Sequence, residues 1–302
     1  MDELTIRMMA WKLRTYDDLT KTIVSSKNRL HAMNPEARET IIDDLEKAKG
    51  RLVRQIEKDV MLWPIWREWL ANVPGIGPFI AGNLILLYYY RFVPICTDCG
   101  HDLERENKEE DKGSYVCAGC GKIAKGEGVL QTRIEEKDFA NISKWWAYLG
   151  IHTVDGRKPK KSKGARMNWS ARGRQICYQI GESFVKRQAD HPYKAFYLER
   201  KQFRMGTHPD GSQAHRHNMA KNETVKVFQA HFWTVARTID GKTVTEPYVG
   251  RLGGTHNVTR PFYWQERESE ETCETRSRSA SGEIFETKID AANRPATPVT
   301  IH

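Results

Sequence analysis

Two CxxC pairs, Cys96-Thr-Asp-Cys99 and Cys117-Ala-Gly-Cys120, are the residues best spaced for chemistry. A CxxC turn brings two thiolates within reach of one cation, and two such turns complete a closed tetrahedral site. Seventeen residues lie between Cys99 and Cys117, a spacing that suits a zinc ribbon. Gly100 and Gly121 directly follow the second cysteine of each pair, where a metal knuckle needs backbone freedom. The expected ligands are therefore Cys96, Cys99, Cys117 and Cys120 around one structural zinc ion. Four thiolates leave no vacant coordination position, so this site is assigned no catalysis. His101 is read as a surface neighbour. The remaining cysteines, Cys177 and Cys273, are isolated. The six cysteines thus do not read as a disulfide framework, and they suit a reducing, cytoplasmic setting.

A second set of residues is cationic. The chain carries a formal net charge of +9, yet residues 151 to 237 alone hold 18 Lys and Arg against 6 Asp and Glu. Charge concentrated in this way points to an anionic polymer more strongly than a high isoelectric point does. Lys160, Lys161, Lys163 and Arg166 lie in a basic loop, followed by Trp169, Arg172 and Arg174 at a helix start capped by Ser170. Lysine and arginine neutralise phosphates, and Trp169 is placed to stack on a base. Arg216, His217 and Lys221 open a later helix and are expected along the same channel. His208, His215 and His217 have no carboxylate at metal-site spacing and are read as phosphate-binding or surface residues. Val73-Pro-Gly-Ile-Gly-Pro looks like a helix–hairpin–helix turn, with the N–H groups of Gly75 and Gly77 offered to a phosphate.

The elements that must position these residues are mostly helical. Residues 15 to 62 read as two helices. The second carries Ile41, Leu45, Ala48, Leu52, Ile56 and Val60 on one stripe. Two surfaces are open to that stripe, a second copy of the chain or the chain's own core; the expectation is a coiled-coil homodimer through these N-terminal helices. Trp63, Trp66 and Trp69 form a core-facing edge, and a helix runs from Ala81 to Tyr90. The zinc segment, 94 to 128, reads as an insert between helices. A helix with Phe139, Ile142, Trp146 and Leu149 inward follows it. Further helices are expected at about 171 to 188, 192 to 204 and 213 to 239. The segments are a coiled-coil region over 1 to 64, a nucleic-acid-binding domain over 65 to 264, and a disordered tail over 265 to 302, rich in Glu, Ser, Thr and Arg. The longest apolar run, Phe79 to Tyr90, is too short to cross a bilayer, and no secretory signal is read at the start.

Val73-Pro-Gly-Ile-Gly, Trp146-Ala-Tyr-Leu-Gly-Ile151, Arg172-Gly-Arg and the late His- and Lys-rich helix occur in an order that resembles the C-terminal domain of bridge-RNA-guided DEDD transposases. It also resembles the Nop domain of small nucleolar RNA-binding proteins. Among these families the chain is most similar to the stand-alone Nop-domain proteins of tandem interspaced guide RNA (TIGR-Tas) systems. The resemblance spans about residues 65 to 250. It implies a mainly α, Nop-like fold and a protein, prokaryotic or phage-encoded, that holds a small guide RNA and directs it to target DNA. Any cutting then falls to a separate nuclease. The alternative is a transposase or its accessory, with Ser162 in Ser162-Lys-Gly164 as the nearest match to that family's serine nucleophile. A third possibility is a repair or replication accessory that uses the helix–hairpin–helix turn. The chain has no room for the transposases' acidic N-terminal domain, which weighs against autonomous recombination.

Overall fold

Asp2 starts the first helix, its carboxylate accepting the Thr5 N–H at 2.9 Å. The cap extends α1 over Glu3–Met33, about twelve residues earlier than the sequence pattern suggests. In the computed structural model the described residues are 1–105, 114–125, 131–153, 157–161, 167–245 and 260–264. They are mainly helical, with eight α-helices among them. α2 (Thr40–Val60) turns back on α1, and a short α3 (Pro64–Glu68) and a 3₁₀ turn lead to α4 (Pro78–Tyr89). After the β segment come α5 (Ile142–Tyr148), α6 (Ala171–Val185), α7 (Pro192–Thr207) and α8 (Gln213–Ile239).

The C-terminal half of the α2 stripe is buried within the chain. Leu52, Ile56 and Val60 are buried, and Leu13 of α1 and Val60 close on Gly82 of α4. Lys12 and Asp59 tie the two helices at 2.8 Å. The register differs from the expected one at the N-terminal end, where Ile42 is buried and Ile41 is 67% exposed. The chain's own core therefore covers the C-terminal half of the stripe, while Leu45 and Ala48 are half-buried and Ile41 is exposed. Residues 1 to 264 form one compact unit, so the N-terminal helices share the core of the segment that follows. Residues 265 to 302, expected as a disordered tail, lie outside the described residues.

Aromatic packing fixes the helices that carry the basic residues. Trp69 stacks on Phe228 of α8 at 5.5 Å, and its indole N–H donates to the Phe262 carbonyl at 2.7 Å. Trp145 rather than Trp146 points inward. The Asn141 cap starts α5 so that Ile142, Trp145 and Leu149 fall on the buried face, and the Trp145 N–H donates to Gln229 at 3.0 Å. Trp63, Trp66 and Trp69 are all buried, as expected.

The ribbon is mounted on a ladder that the helical pattern conceals. β1 (Tyr90–Pro94) pairs antiparallel with β5 (Thr132–Glu136), in register from Tyr90 opposite Glu136 to Pro94 opposite Thr132. Between them β2 (Leu103–Arg105), β3 (Ser114–Cys117) and β4 (Ile123–Lys125) form a three-stranded antiparallel sheet. Its small core of Cys96, Leu103 and Cys117, backed by Tyr115, is separate from the main one.

Candidate metal centre and nucleic-acid interface

The two CxxC turns have the same hydrogen-bond geometry. Cys96 N donates to His101 O and Gly100 N to Cys96 O, at 2.8 and 2.9 Å. Cys117 N donates to Lys122 O and Gly121 N to Cys117 O, both at 2.9 Å. Gly100 and Gly121 have φ of 73° and 72°, the left-handed region in which a side chain is strained. The two turns face each other, so that one thiol atom from each cysteine lies within 4.8 Å of the other three. Cys96 Sγ is 3.7 Å from Cys120 Sγ, and Cys99 Sγ is 3.3 Å from Cys117 Sγ. Zinc–sulfur bonds of about 2.3 Å place tetrahedral sulfurs about 3.8 Å apart, so the four cysteines fit a single metal ion.

The turns favour the thiolate at the first cysteine of each pair. N–H groups of the second knuckle, that of Cys120 first, pull Cys117 down to about 6, and the Asp98 and Cys99 N–H groups lower Cys96, while Cys99 and Cys120 are raised with the neighbouring thiols contributing. His101 stays outside the sulfur cage. Its ring packs on Gly119, where a Cβ would come within 2.7 Å, and its Nδ1 lies 3.2 Å from Cys99 O. Among the described residues these four cysteines are the one group able to hold a metal. His208 and His215 have ring centroids 6.4 Å apart, and His217 is hydrogen-bonded to Tyr197 at 2.7 Å.

The basic residues separate into those that build the fold and those that form a row along α6 and α8. Arg172 belongs to the first group. Its guanidinium pairs with Asp17 at 2.6 Å, donates to Asn83 at 2.8 Å and lies over Phe79, tying α6 to α1 and α4. Arg174, two residues on, points elsewhere. It covers the Trp169 ring at 4.6 Å and donates to Pro159 O at 2.7 Å. Trp169 also lies against Gly150, so the ring expected to stack on a base is packed within the protein.

From Arg174 a row of basic residues runs along α6 and α8. Lys158 donates to Asn222 of α8 at 2.5 Å. Burial and the neighbouring Arg174, Lys226 and Lys221 push its ammonium down to about 8. Burial also lowers Lys226, which lies over Trp146. Lys221 is 5% exposed, pairs with Glu182 at 2.6 Å and sits 4.5 Å above Tyr178. His217 follows one turn away. Its imidazole is held low by burial, then by Lys221, with Lys201 and Lys194 also nearby. Arg216 donates to the carbonyls of His208 and Pro209 at 3.1 and 2.9 Å. Lys160 and Lys161 are exposed at the other end. Ser162, Lys163 and Arg166 lie outside the described residues.

Four contributors were not singled out from the sequence: Lys158, Lys226, Lys201 and Tyr178. Tyr178 is 60% exposed and gives the row an aromatic face under Lys221. Its signal was the i, i+4, i+8 spacing of Arg174, Tyr178 and Glu182 along one side of α6.

The glycine turn is held by α6 and by the start of α7. Ser183 donates to Gly75 O at 2.8 Å and His191 Nε2 to Pro74 O at 3.0 Å. Gly75 has φ of 101°, and a Cβ there would meet Ser183 Oγ at 2.6 Å. Gly77 caps α4 with open space around it. Gly75→Ala is expected to cost about 1–3 kcal/mol in urea unfolding, and Gly77→Ala less than about 1 kcal/mol. Equal effects would contradict this assignment. No family model matches the chain, and neither a curated protein nor a solved structure matches it.

Proposed function

We propose that this protein binds a small guide RNA along the α6–α8 groove and uses it to select target DNA, while any strand cutting is delegated to a separate nuclease. One observation carries the RNA-binding part of this reading. Lys158, Arg174, Lys221 and Lys226 crowd together from a loop and two helices; burial and then the neighbouring cations hold Lys158 below its ordinary range, and burial lowers Lys226. The acids along the helices do not offset them all, since Glu182 is taken by Lys221 and Glu223 by Arg200 and Arg204. A phosphate backbone supplies the missing negative charge. Exposed Tyr178 under a lysine suits the unstacked base of a single strand. Base pairing by the RNA then carries sequence information, and the protein reads backbone and shape.

The metal in the ribbon is proposed to be zinc. Four thiolates in a closed tetrahedron match its preference, and its role there is structural. To test the RNA reading, the full chain is purified without nuclease treatment and the nucleic acid it retains is sequenced. A discrete small RNA is expected. Recovery of DNA fragments alone, or of no nucleic acid, contradicts the proposal.

A further inference from the structure

The row of cations ends in a recess. α7 stops at Thr207, the chain turns back, and α8 starts at Gln213. Beside that turn lies a cavity of about 290 Å³ lined by Lys201, Met205, Gln213 and Arg216. Arg216 is fixed by the two backbone carbonyls of the turn, while its Nε is buried without a hydrogen-bond partner. Buried donors are seldom left in that condition. Glu223 and Glu182 on the packed helices are engaged elsewhere, with Arg200 and Arg204 and with Lys221, and Glu199 of α7 is exposed. The turn's own acid, Asp210, is exposed. Met205, 50% exposed, adds an apolar wall.

We infer that this recess seats the terminal nucleotide of the bound strand, with Lys201 and Arg216 on its phosphomonoester and Met205 against its sugar or base. The inference rests on reading the groove as a nucleic-acid interface. Two features favour a chain end over an internal position. The space is at the lower end of ligand-site volumes, which run from about 300 to 1,000 Å³, and admits one nucleotide rather than a continuing strand. Two cations match a terminal phosphate, which carries about −1.5 to −2 near neutral pH, better than an internal diester with a single charge.

The test is a competition assay at fixed salt with the full chain. It uses one single-stranded RNA made in three forms: 5′-phosphorylated, 3′-phosphorylated, and with hydroxyls at both ends. One phosphorylated end is expected to bind about tenfold tighter than the hydroxyl form, the worth of a charge-assisted contact. Lys201→Gln should erase that preference and Lys201→Arg should keep it. Arg216 also holds the turn, so Lys201 is the cleaner variant. Equal affinity for the three forms overturns the recess assignment and leaves the groove reading standing. So does a preference that survives Lys201→Gln. Failure to bind any of the three overturns the groove reading and the recess with it.

Discussion

Cys117→Ser is expected to abolish stoichiometric metal binding and to unfold the ribbon while the helical body stays intact. The ribbon has little else to hold it. Its strands are three or four residues long, and its core is Cys96, Leu103 and Cys117 with Tyr115 against them. A sheet this small does not stand on its own apolar burial. Structural zinc sites supply on the order of 10 kcal/mol of apparent binding free energy, most of which is folding free energy. The helical body has a continuous core of its own, from Ile6 in α1 to Ala236 in α8. The ladder between β1 and β5 closes the base of the insert independently of the metal. Metal content by mass spectrometry should fall from one ion per chain to near zero, and amide exchange should accelerate in β2 to β4 but not in α4, α6 or α8. His101→Ala should keep the metal, because that ring sits outside the sulfurs. Collapse of helical circular dichroism together with metal loss would show that the ribbon is integral to the body.

The metal centre was the most legible part of the sequence because coordination imposes local spacing. Each knuckle is complete within six residues, so its ligands and its left-handed glycine are visible in one glance at Cys96 to His101. The ladder at its base was not. Tyr90 and Glu136 pair across the whole insert, and Tyr90 follows so directly on α4 that helical periodicity absorbs it. Long-range pairing leaves no local mark. The basic segment was legible as charge but not as role. Arg172 and Arg174 are neighbours in sequence, yet two residues on an α-helix are about 200° apart. One guanidinium therefore reaches inward to Asp17 and Asn83, and the other outward to the loop. Which lysine meets an acid depends on partners far along the chain, as with Lys221 and Glu182. The Trp145–Trp146 exchange has the same origin: both fit an inward stripe, and the cap at Asn141 together with Gln229 decides between them.

Reversing the charge of the groove's accessible cations is expected to have the largest effect on binding. Lys160, Lys161 and Arg174 are chosen because none makes an ion pair among the described residues, so Glu at these positions leaves the fold without a broken salt bridge. Arg172 is avoided: its reversal would set a carboxylate beside Asp17 and unfold the α1–α6 contact, which mimics loss of binding. Each phosphate contact removed takes away roughly one released counterion, or about 0.7 in the salt slope for a single strand. Three losses should lower the slope by about 2 and weaken affinity at low salt by on the order of a hundredfold. Lys21→Glu with Lys47→Glu is the control, two reversals away from the basic row; the exposed i,i+3 pairs they give up with Asp18 and Asp44 contribute little to stability.

The measurement is RNA affinity as a function of salt for the full chain, the groove triple variant and the control, with thermal unfolding run beside it. Binding through the α6–α8 groove predicts a shallower slope and weaker binding for the triple variant alone, with a cooperative unfolding transition retained and any small drop in melting temperature traced to Arg174's lost contacts with Pro159 and Trp169. Equal slopes for all three proteins, or equal losses in the triple variant and the control, would contradict it.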